Sequence, residues 1–200
     1  MTFYRVAQQV VLFLMRFGYK IKVIDKQKLP SEQEGYVIVS NHRSNLDPLF
    51  IGLGMKRQIC FMAKEELFKN KFLGFILTKL GTFPVSRGKG DRGAIQNAID
   101  IVESGRVLGI FPEGTRSKDG ALKRAKSGAV LIASKTGGKI MPVGIRYGGK
   151  KLWRREITVT YGDPIMNHEL LITDTNRNDI KAASQLLMER IAVLIAEGQD

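Results

Sequence analysis

The run Asn41-His42-Arg43-Ser44-Asn45-Leu46-Asp47 places one of the chain's two histidines five residues ahead of an acid, directly after the strand-like run Tyr36-Val37-Ile38-Val39-Ser40. Histidine is the side chain whose ordinary pKa lies nearest neutrality, so it suits proton transfer. A carboxylate within reach can fix its tautomer and stabilise the imidazolium. On a regular helix five positions turn the chain by about 500°, which leaves the two side chains ~140° apart. His42 and Asp47 can therefore meet only if the chain bends between them. Asp47-Pro48 supplies a reason for a bend, because Asp is a good helix N-cap and Pro a good first helical residue. This predicts a helix from Pro48, with His42 on the loop that feeds it. Two readings stand on these residues alone: a base with its orienting acid, or a surface histidine followed by an acid that only caps a helix.

Three further segments bear on the choice. Gly81-Thr82-Phe83-Pro84-Val85-Ser86-Arg87 is a short strand pattern that ends on an arginine. Phe111-Pro112-Glu113-Gly114-Thr115-Arg116-Ser117 follows the apolar strand pattern Val107-Leu108-Gly109-Ile110, and Ile140-Met141-Pro142-Val143 stands further on. Arg87 and Arg116 can each give paired hydrogen bonds to a phosphate. Gly114 lets the backbone approach closely, Thr115 adds a hydroxyl donor, and strand-end loops of this kind suit anions.

Taken in order, the four segments resemble the four blocks of the glycerolipid acyltransferase family, which includes the bacterial 1-acyl-glycerol-3-phosphate acyltransferases. The first matches the family's N-H-x-x-x-x-D at every defined position, and the third matches F-P-E-G-T-R-S in full. The second and fourth are looser, and Pro84 and Ser86 depart from the family pattern. The resemblance spans residues 41–143. It implies His42 as general base with Asp47 as its orienting partner. Arg87, Glu113, Gly114, Thr115 and Arg116 would form the glycerol-phosphate site. Lys64, in Ala63-Lys64-Glu65-Glu66-Leu67, is similar to a lysine the family places near phosphate. The implied reaction moves a fatty acyl group from an acyl carrier protein or coenzyme A thioester to the sn-2 hydroxyl of lysophosphatidic acid. It would take place at the cytoplasmic face of the cell membrane, by a peripheral or monotopic protein, and no cofactor is implied.

Such an enzyme must remove a proton from a hydroxyl, hold a phosphate, stabilise a tetrahedral oxyanion and accommodate a long alkyl chain. A general base contributes roughly 10²–10⁴-fold. No G-x-S-x-G elbow is present, and Cys60 lies in the apolar run Ile59-Cys60-Phe61-Met62, so direct attack without a covalent acyl-enzyme is expected. Glu113 is awkward beside a phosphate; it could accept from a glycerol hydroxyl or orient an arginine. Asn41 and the amides of the motif loops are candidate oxyanion donors. Met141, Pro142 and Val143 suit either an acyl groove or plain core. His168, in Asn167-His168-Glu169, reads as a surface residue, and two histidines without H-E-x-x-H or a Cys pair predict no metal site.

The elements that must position these groups follow from periodicity. Residues 2–17 read as a helix with Arg5, Gln8, Gln9 and Arg16 inside an arc of about 100° and an otherwise apolar circumference. It is too short and too polar at its middle to span a bilayer and suits an interfacial helix. Strands are expected at 19–24, 36–40, 59–63, 82–86, 107–111, 139–147 and 156–161. Helices are expected at 48–55, 65–80 with a break near Gly74, 91–104, near 124–136 and 177–197. Strand–helix alternation predicts an α/β fold: one layered domain with a central, largely parallel mixed sheet flanked by helices. Residues 1–28 would form a membrane-associating segment and 29–200 the catalytic domain. Sites in such sheets lie beyond the carboxyl ends of the strands, where His42, Arg87 and the segment from Glu113 to Arg116 all fall.

Composition sets the remaining bounds. Two hundred residues, 44% hydrophobic and 26% charged, suffice for one domain with a sizeable core. A single cysteine excludes an internal disulfide and fits a reducing compartment; no cleavable signal peptide is evident. The net charge of +13 favours anionic partners. It is clustered: residues 1–28 hold six Lys or Arg against one acid, and residues 116–155 hold twelve against one. These segments lack interleaved aromatics or an RNA-binding signature, which speaks for an anionic membrane and against nucleic acid. The rival readings are an enzyme acylating another lysophospholipid or glycerol 3-phosphate, and a noncatalytic basic protein that binds membrane or nucleic acid. Against the latter, His42, Asp47, Glu113 and Arg116 are all present.

Overall fold

A computed structural model describes residues 3–85, 92–170 and 177–198. Among these, seven strands form one sheet: β1 (Tyr19–Ile24), β2 (Tyr36–Ser40), β3 (Ile59–Lys64), β4 (Phe83–Val85), β5 (Val107–Ile110), β6 (Lys139–Lys151) and β7 (Arg154–Tyr161). The spatial order is β1-β7-β6-β2-β5-β3-β4. From β6 through β4 every neighbour is parallel, while β7 reverses against β6 and β1 follows β7 in parallel. The expected largely parallel mixed sheet is thus the observed one.

The helices are α1 (Phe3–Gly18), α2 (Asp47–Leu53), α3 (Lys71–Lys79), α4 (Arg92–Glu103), α5 (Gly128–Thr136) and α6 (Arg177–Glu197). Side chains alternate across the strands, so β2 feeds two cores at once and all five of its positions are buried. Val37 and Val39 join Leu108 and Ile140 against α4, α5 and α6. Tyr36 and Ile38 join Met141 and Val143 against α2 and Met15 of α1. Each such fully buried side chain stabilises by about 1.5–3 kcal/mol. The result is a three-layer sandwich in which the loops leaving β2, β3 and β5 emerge from one edge of the sheet.

Three boundaries differ from expectation. The region 65–80 breaks at Asn70, not Gly74: a 3-10 turn over Glu65–Phe68 ends there, and the Asn70 side chain caps α3 by accepting from the amides of Phe72 and Leu73 at 3.1 and 3.0 Å. Gly74 lies inside α3, where a Cβ would meet the Phe68 carbonyl oxygen at 3.0 Å. The last two strands are longer than their apolar cores. They form a hairpin that runs past Tyr147 to a two-residue tip at Leu152 and Trp153.

Helix α1 is oriented by its polar residue. Gln8 is buried and donates to the carbonyls of Gly52 and Met55, at 2.6 and 2.7 Å, in the turn that ends α2. Gln8 and Met15 face the protein, while Phe3, Val6, Val10, Phe13, Leu14 and Phe17 face outward. The helix is therefore inverted, with its large apolar side chains exposed. Among the described residues no helix is long and apolar enough to cross a membrane.

Candidate active site

The loop from β2 to α2 bends as the pairing of His42 with Asp47 requires. His42 Nδ1 lies 2.8 Å from Asp47 Oδ2. The same oxygen accepts the backbone amides of Arg43 and Ser44 at 2.6 and 2.7 Å. The other oxygen accepts the Tyr147 hydroxyl. Asp47 has no solvent exposure, so these donors replace its water. Burial first, then the neighbouring Asp47 carboxylate, push the Tyr147 hydroxyl far above the ordinary tyrosine range, which keeps it a donor. The expected capping role of Asp47 is corrected: α2 begins at Asp47 itself, its N-cap position is Leu46, and no side chain caps it. The carboxylate reaches backwards to close its own loop.

His42 is held on three further sides. Its ring stacks on Phe111 at 4.0 Å between centroids and 15° between planes, and Phe111 stacks in turn on Phe61 at 5.5 Å and 10°. Gly109 makes room for this column, because a Cβ there would lie 2.3 Å from the Phe61 ring. The backbone amide of His42 donates to Glu113 Oε1 at 2.7 Å, and its carbonyl accepts from Ser117 at 2.8 Å. Asp47 takes the Nδ1 side of the imidazole, so Nε2 lies on the opposite side of the ring.

Glu113 is buried, and its second oxygen accepts the Lys123 amide at 3.1 Å. Both oxygens thus tie backbone, joining the β2 loop to the β5 loop and to the segment that returns from it. Gly114 has φ 69°, in the left-handed region, and a Cβ there would press on the Lys126 side chain at 2.8 Å. Beyond it Thr115 and Arg116 are exposed. Lys123 Nζ donates to the Arg116 carbonyl at 2.7 Å and lies 3.3 Å from Thr115 Oγ1, which adds a cation to this loop.

Lys64 ends β3, exposed and paired in register with Val85 of β4, so it stands beside the strand that leads to residue 87. Arg87 itself lies outside the described residues. Asn41 does not point into the site: its side chain donates to the Ile145 carbonyl at 2.9 Å and accepts the Ile145 amide at 2.8 Å, extending the sheet edge like a backbone unit. Met141, Pro142 and Val143 are fully enclosed in the sheet centre, which corrects the acyl-groove reading to plain core. Burial raises the pKa of the Cys60 thiol and suppresses the thiolate, so it is a poor nucleophile. A cleft of about 730 Å³ between residues 122–125 and α6 includes none of His42, Asp47 or Glu113.

Reading the sequence missed Tyr147, the Phe61–Phe111 column and Lys123. The aromatic ahead of Pro112-Glu113 was a visible signal for the column. Tyr147 had none, lying 100 positions from Asp47.

The chain is similar to known proteins along most of its length. A family model described as Acyltransferase matches residues 20–146. The 1-acyl-sn-glycerol-3-phosphate acyltransferase of Bacillus subtilis is 33% identical over 189 residues, covering 92% of each chain. The protein of the same name from Streptococcus pneumoniae is 35% identical over 182 residues, 84% of this chain and 67% of that one. In fold, the crystal structure of the 1-acyl-sn-glycerophosphate acyltransferase PlsC from Thermotoga maritima superimposes with a TM-score of 0.71 over 98% of this chain and 83% of that one, at 23% identity.

Proposed function

The chain belongs to the acyltransferase family and carries the activity of a 1-acyl-sn-glycerol-3-phosphate acyltransferase, and from that premise we propose that His42 is its general base, oriented by Asp47. The observation that carries this is the 2.8 Å contact between His42 Nδ1 and an Asp47 carboxylate otherwise filled by two backbone amides and the Tyr147 hydroxyl. Nε2 takes the proton of the sn-2 hydroxyl as that oxygen attacks the thioester carbonyl. The tetrahedral intermediate collapses with cleavage of the carbon–sulfur bond, and the imidazolium returns the proton to the departing thiolate. The products are phosphatidic acid and the free thiol of acyl carrier protein or coenzyme A. No covalent acyl-enzyme is required.

Phosphate recognition falls to Arg116, Thr115 and Gly114 on the β5 loop, with Lys64 from the end of β3, and the sequence adds Arg87 two residues beyond Val85. Glu113 acts as a positioning residue through the backbone amides it accepts, and not as a direct ligand of the acceptor. The outward apolar face of α1 and the basic segments hold the protein on an anionic bilayer, at the cytoplasmic face of the cell membrane.

The test is an acyl-transfer assay of purified protein on lysophosphatidic acid and on glycerol 3-phosphate, with acyl carrier protein and coenzyme A thioesters in parallel. His42→Ala should lower the rate by about 10²–10⁴-fold while thermal unfolding stays cooperative. A folded variant that kept more than about a tenth of the rate would remove His42 from the role of base.

A further inference from the structure

We propose that the β6–β7 hairpin tip, Leu152–Trp153, inserts into the bilayer as a second membrane anchor beside α1. This rests on the membrane reading of α1 and adds a contact made by a different part of the chain.

Leu152 and Trp153 are 84% and 73% exposed. Leu152 has φ 59°, in the left-handed region. Two-residue hairpin loops place Gly, Asn or Asp at such positions, because a side chain there costs roughly 1–2 kcal/mol. Turn chemistry thus gives no reason for a leucine, and solvation gives none for a leucine next to the chain's one tryptophan. A reason appears when the flanks are included. Lys150, Arg154 and Arg155 bracket the tip, and Lys20 and Lys22 follow on the adjoining β1. Apolar side chains at an apex, with cations one residue behind, match the depth profile of an anionic membrane surface. There acyl chains take the apex, Trp sits at headgroup level and phosphates meet the lysines and arginines.

The tip is also continuous with α1. Arg154 donates to the Tyr19 carbonyl, and Gly18, Tyr19, Lys150, Trp153 and Arg155 line one shallow hollow. The exposed Phe13, Leu14 and Phe17 end directly before it. Because β6 runs parallel to β2, the hairpin leaves the sheet from the edge that carries the His42 loop. A single helix lying in the bilayer plane fixes its own roll through its apolar face but holds the tilt of the body beyond its end only loosely. A second contact beyond its end removes that freedom and turns the His42 edge toward the surface where a lysolipid presents its hydroxyl.

Trp153 is its own reporter, since no other tryptophan contributes to emission. The full chain would be mixed with phosphatidylglycerol–phosphatidylcholine vesicles, with and without brominated acyl chains. Co-sedimentation and tryptophan fluorescence would be read on the same samples. The expected result is a blue-shifted emission on binding, protection from acrylamide and quenching by the brominated chains. Leu152→Asn combined with Trp153→Ser suits the backbone of the tip. It should keep its rate on detergent-dispersed lysolipid yet bind the vesicles at least about tenfold more weakly. Protein that co-sediments while Trp153 stays open to acrylamide and unquenched would overturn the hairpin anchor and leave α1 standing. No co-sedimentation at all would overturn both. A blue shift that grows with protein concentration in the absence of vesicles would assign the tip to a second copy of the chain and overturn the proposal.

Discussion

Tyr147 and Asp47, 100 residues apart in the chain, are joined by a hydrogen bond in which the tyrosine hydroxyl donates to the carboxylate oxygen opposite the one facing His42. The acid is therefore aimed from β6, a different strand from the one that carries the histidine. Tyr147→Phe keeps the ring, and with it the Arg43 guanidinium 4.9 Å above, and removes only the donor. Hydrogen bonds to charged groups contribute about 1.5–3 kcal/mol, so kcat should fall by about tenfold or more. The KM for the acceptor should hardly move. Steady-state kinetics on the folded variant check this, and a change confined to KM would contradict a positioning role.

Glu113 offers a stability readout that a residue holding substrate would not. Its two oxygens accept the amides of His42 and Lys123. Glu113→Gln keeps the shape but turns one acceptor into a donor facing an amide. It should lose about 1–3 kcal/mol in denaturant unfolding and lower kcat through the displaced His42 loop. Unchanged stability together with a raised acceptor KM would place the carboxylate on the substrate instead.

Arg116 is exposed on the β5 loop and should act on the acceptor's phosphate. Arg116→Ala is expected to raise the KM for lysophosphatidic acid far more than for an uncharged monoacylglycerol. Arg116→Lys should rescue only partly, because the ammonium cannot make the paired bonds of a guanidinium. Equal effects on both acceptors would move the phosphate site elsewhere.

Replacing Val10, Phe13 and Phe17 on α1 by Ser should release the protein from liposomes without unfolding it, since all three side chains are exposed and the Gln8 bonds are untouched. Raising the salt should weaken binding to anionic vesicles without abolishing it, because only the charged part is screened. Full binding by the triple variant in co-sedimentation would remove α1 from the membrane contact.

Alkaline pH should destabilise the fold. Burial raises Tyr36 to about 12, and it carries Tyr161 and Tyr147 still higher. Unfolded tyrosines ionise near pH 10, so above that value the unfolded chain binds fewer protons than the folded one. The stability held by these groups is complete below about pH 10 and is lost as the pH climbs towards 12. Urea midpoints taken between neutrality and strong alkali should show the fall. Tyr161→Phe should flatten it, at the expense of the bond its hydroxyl donates to the Ile51 carbonyl.

Local pattern was enough for much of this protein. The strand period around Val37–Val39, the apolar run at Val107–Ile110 and the alternation of strand and helix specified a largely parallel sheet, because each depends on residues only a few positions apart. The same holds for the placement of His42, Lys64 and Glu113 at strand ends. Tertiary structure decided what distance along the chain conceals. Asp47 reads both as the orienting partner of His42 and as a helix cap, because sequence shows its neighbour Pro48 but not Arg43 and Ser44 folding back onto it, nor Tyr147 arriving from β6. Met141 to Val143 were readable either as groove or as core, and only the closure of α2 over the face of Met141 and Val143, with α6 on the face of Pro142, made them core. The pattern of α1 pointed to an interfacial helix but not to the contact that seats it on the protein. A helical wheel ranks polar and apolar faces, but it cannot know that the carbonyls of Gly52 and Met55 would accept from Gln8 and fix which side of the helix meets the protein.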